Sequence, residues 1–172
     1  MSQTPSSDAT PDLRDLYQDV IFDHYRRPRH FGHLPHPNRS AAGHNPLCGD
    51  RLELELQVDD GGCIADVAFT GEGCAISTAS ASLLTEAVKG KRVGEALALF
   101  AQVHGALVED RAVPADALGK LQVLEGVKQF PARVKCAMLA WHTLRNALAQ
   151  ARTVASTEAP TEQTSSGASR HP

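Results

Sequence analysis

The 172-residue chain has no large excess of charge of either sign: 17 Lys and Arg stand against 20 Asp and Glu, for a formal net charge of -3. A nucleic-acid-binding domain carries a basic patch or stripe, so no nucleic-acid partner is expected. So small a charge also gives no pull toward an anionic membrane. No apolar run approaches the roughly 18 residues that a transmembrane helix needs. The opening MSQTPSSDATPD is polar, with neither the basic nor the apolar region of a secretory signal. Internal repeats are absent. Together these absences lead to the expectation of a cytoplasmic protein. Cysteine is also scarce, limited to Cys48, Cys63, Cys74 and Cys136. Two disulfides are arithmetically possible. However, cytosolic thiols stay reduced, and a chain of this length buries a sizeable core without staples. Metal binding or sulfur chemistry is the better expectation for such a set.

What is present divides into one ordered domain and two polar ends. Residues 1–10 and the tail 153–172 are rich in Ser, Thr, Pro and charged groups and are expected to be disordered. Residues 11–152 form the expected domain. Leu13, Leu16, Tyr17, Val20, Ile21 and Tyr25 recur at helical spacing, with Pro11 near the first turn and Pro28 as the stop. The stretch up to Pro46 is rich in Pro, Gly and His and reads as a loop. Leu52, Leu54, Leu56 and Val58 alternate with Glu53, Glu55 and Gln57, the period of a half-buried strand. DDGG supplies a turn, and the return strand places Cys63, Ala65, Val67 and Phe69 on one face. Helices are expected after GEGC, over VGEALALFAQVHGAL, over PADALGKLQVLEGV, and from Pro131 onward. Strands followed by helices argue for an α+β fold. A stable sheet needs about three strands; the third is placed at Arg39–His44.

Three cysteines and one aspartate stand where chemistry is plausible. Cys48 precedes a strand, and Asp50 is two positions on, which shares a face in extended backbone. Cys74 follows a glycine pair at the mouth of a helix, where the macrodipole favours thiolate. Cys136 lies in the first turns of the last helix, directly after Lys135. Should the hairpin and both helix starts meet, three thiols and a carboxylate would surround one point. Such a set suits tetrahedral zinc; iron–sulfur clusters also take thiolates, and softness alone does not separate the two. The plainer reading is that free cysteines are small core hydrophobes. It is preferred for Cys63, which alternates with Val67 and Phe69. Arg133 and Lys135 are either partner-docking groups or a solvated basic face. His30, His33 and His36 read as solvated loop residues. His24, His104 and His142 have no evident partner, and His44 is near enough to Cys48 to touch the site. Met138, Trp141 and Leu144 form the buried stripe of the last helix.

At these residues a family resemblance becomes specific. NPLCGDRLELELQVDDGGCIADVAFTGEGCAISTASASLLTEAVKGK, then GVKQFPARVKCAMLAWHTL, resembles SufU-type members of the IscU/NifU N-terminal family of iron–sulfur cluster assembly proteins. DLYQDVIFDHYRRPRHFG is similar to the family's N-terminal helix and loop. The resemblance spans about Leu13 to Gln150. IscU-type scaffolds carry a histidine directly before the last cysteine, where this chain has Lys135. They also have a shorter path between the second and third motif cysteines. Here Cys74 and Cys136 stand 62 positions apart, with VHGALVEDRAVPADALGKL in between.

The resemblance implies an IscU-like single domain with a small antiparallel sheet packed against several helices. It implies zinc held by Cys48, Asp50, Cys74 and Cys136, with Cys63 left outside the site. It further implies a zinc-dependent sulfurtransferase in which Cys48 accepts persulfide sulfur from a PLP-dependent cysteine desulfurase of SufS type. A desulfurase histidine would replace that cysteine on zinc, and the sulfur would pass to a downstream cluster scaffold or other recipient. Such a protein acts with the desulfurase rather than as a stand-alone enzyme. Two other readings remain open. One is an IscU-like scaffold that builds a [2Fe–2S] cluster on the same ligands; the other is a domain whose zinc is only structural.

Overall fold

A computed structural model describes residues 13–149 and 154–156. The expectation for residues 1–10, the placement of Pro11, and the tail beyond Ser156 lie outside the described residues. The order is α1 (Leu13–Arg26), β1 (Arg39–Asn45), β2 (Asp50–Val58), β3 (Ile64–Glu72), α2 (Ala75–Val88), α3 (Val93–Leu107), α4 (Ala115–Leu118), a 3-10 segment (Gly119–Gln129), α5 (Pro131–Leu148) and β4 (Val154–Ser156). The fold is α+β. β1, β2 and β3 form an antiparallel meander in the order β3-β2-β1, and the third strand falls where it was expected. β4 adds three residues parallel to β1. That short strand falls inside the tail 153–172.

β2 follows its alternation: Leu52, Leu54 and Leu56 point into the core, and Arg51, Glu53 and Gln57 point outward. β3 departs from simple alternation. Val58 pairs with Ile64 and Gln57 with Asp66, a bulge that turns Ala65 to solvent while Ile64, Val67 and Phe69 stay buried. Cys63, just before the strand, is therefore not on the Val67–Phe69 face. It is half-buried and bridges to Arg92, so the expectation of a core cysteine is corrected.

α5 packs across β1 and β2, and α2 lies between α1 and α5. The small residues of α2 (Ser77, Ala79, Ser80, Ala81, Ser82) are buried and let these helices approach closely. Trp141 fills the centre; its indole N–H donates to Ser80 Oγ at 3.2 Å, and that hydroxyl donates to the Ala137 carbonyl at 2.6 Å. Both strong dipoles are thereby paired inside an apolar layer. On α1 the inward position belongs to His24, not Tyr25, which is exposed. His24 Nδ1 meets Ser82 Oγ at 2.7 Å, and burial holds its pKa below the ordinary histidine value.

The region expected as one short helix after Pro114 is a four-residue α4 followed by an 11-residue 3-10 segment. Gly119 joins them at φ 55, a conformation that interrupts regular α-helix. The His-rich loop is better tied than its composition implied. His30 Nδ1 meets Thr85 Oγ1 at 3.0 Å, and His33 Nδ1 meets Glu55 Oε1 at 2.9 Å. The Glu55 carboxylate also accepts the Leu34 N–H at 2.7 Å, which seats the loop over the outer face of β2.

Candidate metal centre

The hairpin between β1 and β2 closes at one end of the sheet. Asn45 pairs with Asp50, leaving Pro46, Leu47, Cys48 and Gly49 as the turn, with Gly49 at φ 70. The β3 end opposite Arg51 reaches this same end and runs through Gly73 into Cys74, the N-cap of α2. The first turns of α5 arrive beside it. The three chain segments singled out by their cysteines thus meet because β1, β2 and β3 are antiparallel neighbours and α5 packs on two of them.

Cys136 Sγ lies 3.1 Å from Cys48 Sγ. The ligand atoms of Cys48, Asp50 and Cys136 all fall within 4.8 Å of one another. Cys74 joins through the carboxylate: its backbone N–H donates to Asp50 Oδ1 at 2.8 Å, and its Sγ is 3.7 Å from Asp50 Oδ2. Cys74 Sγ also accepts the Ser77 N–H at 3.4 Å, as an N-cap side chain does. Asp50 and Cys136 are fully buried, while Cys48 is exposed. Space for the carboxylate comes from Gly73, since a Cβ there would stand 2.9 Å from Asp50 Oδ1.

Burial, above all, pushes the Cys136 thiol well above the ordinary thiol range; the Cys48 contact and the Cys74 charge add to this. Arg133 sets its guanidinium toward the same sulfurs, with Nη1 4.0 Å from Cys48 Sγ. Its pKa is raised by the hydrogen bond to Cys136 first, then by the charges of the three cysteines. Lys135 lines a neighbouring groove of about 470 Å³ with Val134, Met138 and His142. His44 does not face the cluster. It alternates with Gly43 and Asn45, and its side of the strand is the outer groove with Arg51. Asn45 escaped the sequence reading. It is fully buried, and its Nδ2 donates to Cys136 Sγ at 3.6 Å. The signal for it was available, because Asn before Pro closes the motif that carries Cys48.

The residues present fit a metal of borderline softness. Two thiols and one carboxylate converge within 4.8 Å of one another, and Cys74 stands beside the carboxylate with its Sγ 3.7 Å from Asp50 Oδ2. In a tetrahedral site with Zn–S of about 2.3 Å, ligand atoms stand roughly 3.8 Å apart; the contacts of 3.1 and 3.7 Å lie on that scale. The same thiols are the donor type of iron–sulfur clusters.

Fold and cluster define an α+β domain with a thiol-rich, metal-type ligand site at the end of its sheet. The NifU-like N-terminal domain matches residues 16–158, and the chain belongs to that family. It is 44% identical over 137 residues to the iron–sulfur cluster assembly scaffold protein IscU of Streptococcus pyogenes serotype M1, covering 79% of this chain and 84% of that protein. It is 41% identical over 141 residues to the zinc-dependent sulfurtransferase SufU of Bacillus subtilis strain 168, covering 80% of this chain and 92% of that protein. The crystal structure described as that of an iron–sulfur cluster assembly scaffold protein for the SUF system (FiSufU) from Fervidobacterium islandicum AW-1 superposes with a TM-score of 0.72 at 34% identity, over 76% of this chain and 94% of that one. Among the described residues, no helix is long and apolar enough to cross a membrane.

Proposed function

We propose that this protein is a zinc-dependent sulfur acceptor of SufU type, serving iron–sulfur cluster assembly. It takes persulfide sulfur from a PLP-dependent cysteine desulfurase and relays it to a downstream scaffold or other recipient. The observation that carries the reading is the division within the cluster: Asp50 and Cys136 are buried, whereas Cys48 sits exposed on a hairpin turn. A partner's persulfide can reach Cys48, and thiol exchange runs only where a thiolate is accessible. The Cys48 thiolate attacks the outer sulfur of the partner's persulfide. The old S–S bond breaks, the partner's cysteine leaves as thiolate, and the outer sulfur remains on Cys48. Arg133 lies close enough to offset the negative charge on Cys48 during that exchange.

Cys48, Asp50, Cys74 and Cys136 would hold zinc. When bound, zinc supplies the charge that keeps these thiols deprotonated and ties the turn to α2 and α5. Arg133 and Lys135, beside the last ligand, would dock the desulfurase. The absence of a histidine before Cys136 and the long path from Cys74 support the SufU-type reading.

A second reading, an IscU-like scaffold for a [2Fe–2S] cluster on the same ligands, is favoured by the thiol content of the site and by the similarity to IscU proteins. Desulfurase turnover of L-cysteine, with and without the zinc-loaded protein, separates the two. Severalfold stimulation by wild type and none by Cys48→Ala is expected, with zinc content falling in Asp50→Ala. No stimulation of a verified partner, together with a brown protein after anaerobic iron reconstitution, would give the scaffold reading instead.

A further inference from the structure

Asn45 lies behind Cys136, at the base of the turn that carries Cys48, and is not itself one of the candidate ligands. It is the last residue of β1, fully buried, and pairs across the hairpin with Asp50. Its two amide atoms point to different parts of the cluster. Nδ2 donates to Cys136 Sγ at 3.6 Å, and Oδ1 accepts the Leu47 N–H at 3.2 Å. The second bond is an Asx turn, the local closure that Asn and Asp make two residues on. Leu47 directly precedes Cys48, so one side chain holds both the fixed sulfur and the turn that carries the accessible one.

We propose that Asn45 is a positioning residue that sets the unequal roles of the two sulfurs. Its N–H engages Cys136 as the held ligand, while its oxygen orders the turn that presents Cys48. The inference rests on the reading of Cys48 as acceptor and Cys136 as ligand. The chemistry requires an amide. A sulfur accepting an N–H bond gives up electron density to it and becomes a poorer donor and a poorer nucleophile. An aliphatic side chain of the same size would fill the space and do neither job. An aspartate would keep the turn oxygen but turn an acceptor toward the sulfur. The bond to Cys136 is buried, so no water replaces it, whereas the bond to Leu47 is part-buried on an exposed turn and acts by ordering that turn.

Two variants separate the two bonds. Asn45→Asp keeps the Leu47 acceptor and loses the donor to sulfur; Asn45→Leu loses both. The first readout is the sulfur-to-metal charge-transfer band of the full chain loaded with Co(II). This band should move to lower energy in both variants, because the Cys136 sulfur is no longer an acceptor. The second is hydrogen exchange at the Leu47 amide in metal-free protein. It should stay at the wild-type rate in Asn45→Asp and rise about fivefold in Asn45→Leu, as expected for the loss of one ordinary hydrogen bond. Circular dichroism checks that each variant is folded, and Asn45→Asp, which conserves volume, covers the case in which Asn45→Leu does not fold. An unshifted cobalt band in folded Asn45→Asp overturns the proposal, as does unchanged Leu47 exchange in folded Asn45→Leu. Neither readout involves a desulfurase. Both can therefore succeed where the acceptor reading fails, and the acceptor reading can hold where both fail.

Discussion

Replacing Gly43 by alanine tests how the fold sets the spacing within the site. Gly43 lies in β1 with its inner side against α5. A Cβ there would run into Thr143 Oγ1 and stand 3.0 Å from Leu139 Cδ1. The glycine is present for room. Relief must come from Thr143, whose hydroxyl donates to the Leu139 carbonyl at 2.7 Å, or from β1 moving off α5. Turning Thr143 away forfeits a buried hydrogen bond, about 1 kcal/mol. Inserting a methyl into a filled interface costs typically 1–3 kcal/mol. The expected loss is about 2 kcal/mol, which for a chain of this length lowers Tm by roughly 4–8 °C. Thr143→Ala removes the blocking oxygen, so the double variant should regain about 1 kcal/mol relative to the sum of the single variants. Asn45 is two residues along the same strand, and Cys136 is on the same helix. A displaced β1 therefore also widens the gap between Cys48 and Cys136, and Gly43→Ala should hold less zinc at equal total metal. Urea denaturation with metal analysis on the same samples measures both. Wild-type stability in Gly43→Ala, or full additivity with Thr143→Ala, would refute the packing argument.

Two further outcomes follow from the interior and the loop. In Ser80→Ala, the Trp141 indole N–H loses its acceptor in a dry layer, and stability should fall by about 1–3 kcal/mol; urea unfolding followed by the fluorescence of the single tryptophan reads it, and an unchanged midpoint would contradict the assignment. The Glu55 hydrogen bond raises the pKa of His33 above 6.5, so the His33 contribution is full below about pH 6.5 and fades as pH rises through the raised value. Burial works to raise the pKa of Glu55, but the bonds from His33 and Leu34 outweigh it and leave the pKa below 4.5. The Glu55 contribution is therefore present above about pH 4.5 and fades as pH falls through the lowered value. Both terms operate between these limits, and His33→Gln should flatten the pH dependence of Tm on the alkaline side; an identical profile in the variant would remove the pair from the account.

Much of this architecture was legible because local pattern and burial agree. The strict alternation of β2 leaves one register that buries Leu52, Leu54 and Leu56. The stripe of Met138, Trp141 and Leu144 on the last helix is buried as its spacing implies. Where pattern and burial part company, sequence reading failed. Ala65 alternates correctly but is turned outward by a bulge that depends on which residue Val58 chooses as partner. His24 has no evident partner in the sequence until Ser82, far away along the chain, supplies its hydrogen bond; His33 stays exposed as expected but gains Glu55. The short parallel strand of β4 exists only because β1 has a free edge.

The site divides in the same way. The sequence determined which side chains are candidates for chemistry: thiols and a carboxylate next to glycines, a turn and helix starts. It also placed Cys48 just ahead of a strand, between Pro46 and Gly49, where the structure has an exposed turn. Only the tertiary structure decided that Cys48 and Cys136, 88 positions apart, stand 3.1 Å from each other. It likewise made Asp50 the link to Cys74 and left Cys63, on the opposite end of β3, out of the cluster. The physical reason is that ligand identity is a property of single residues. Ligand convergence is a property of strand order, register and the seating of α5 on the sheet, and these are fixed by the burial of the whole core at once.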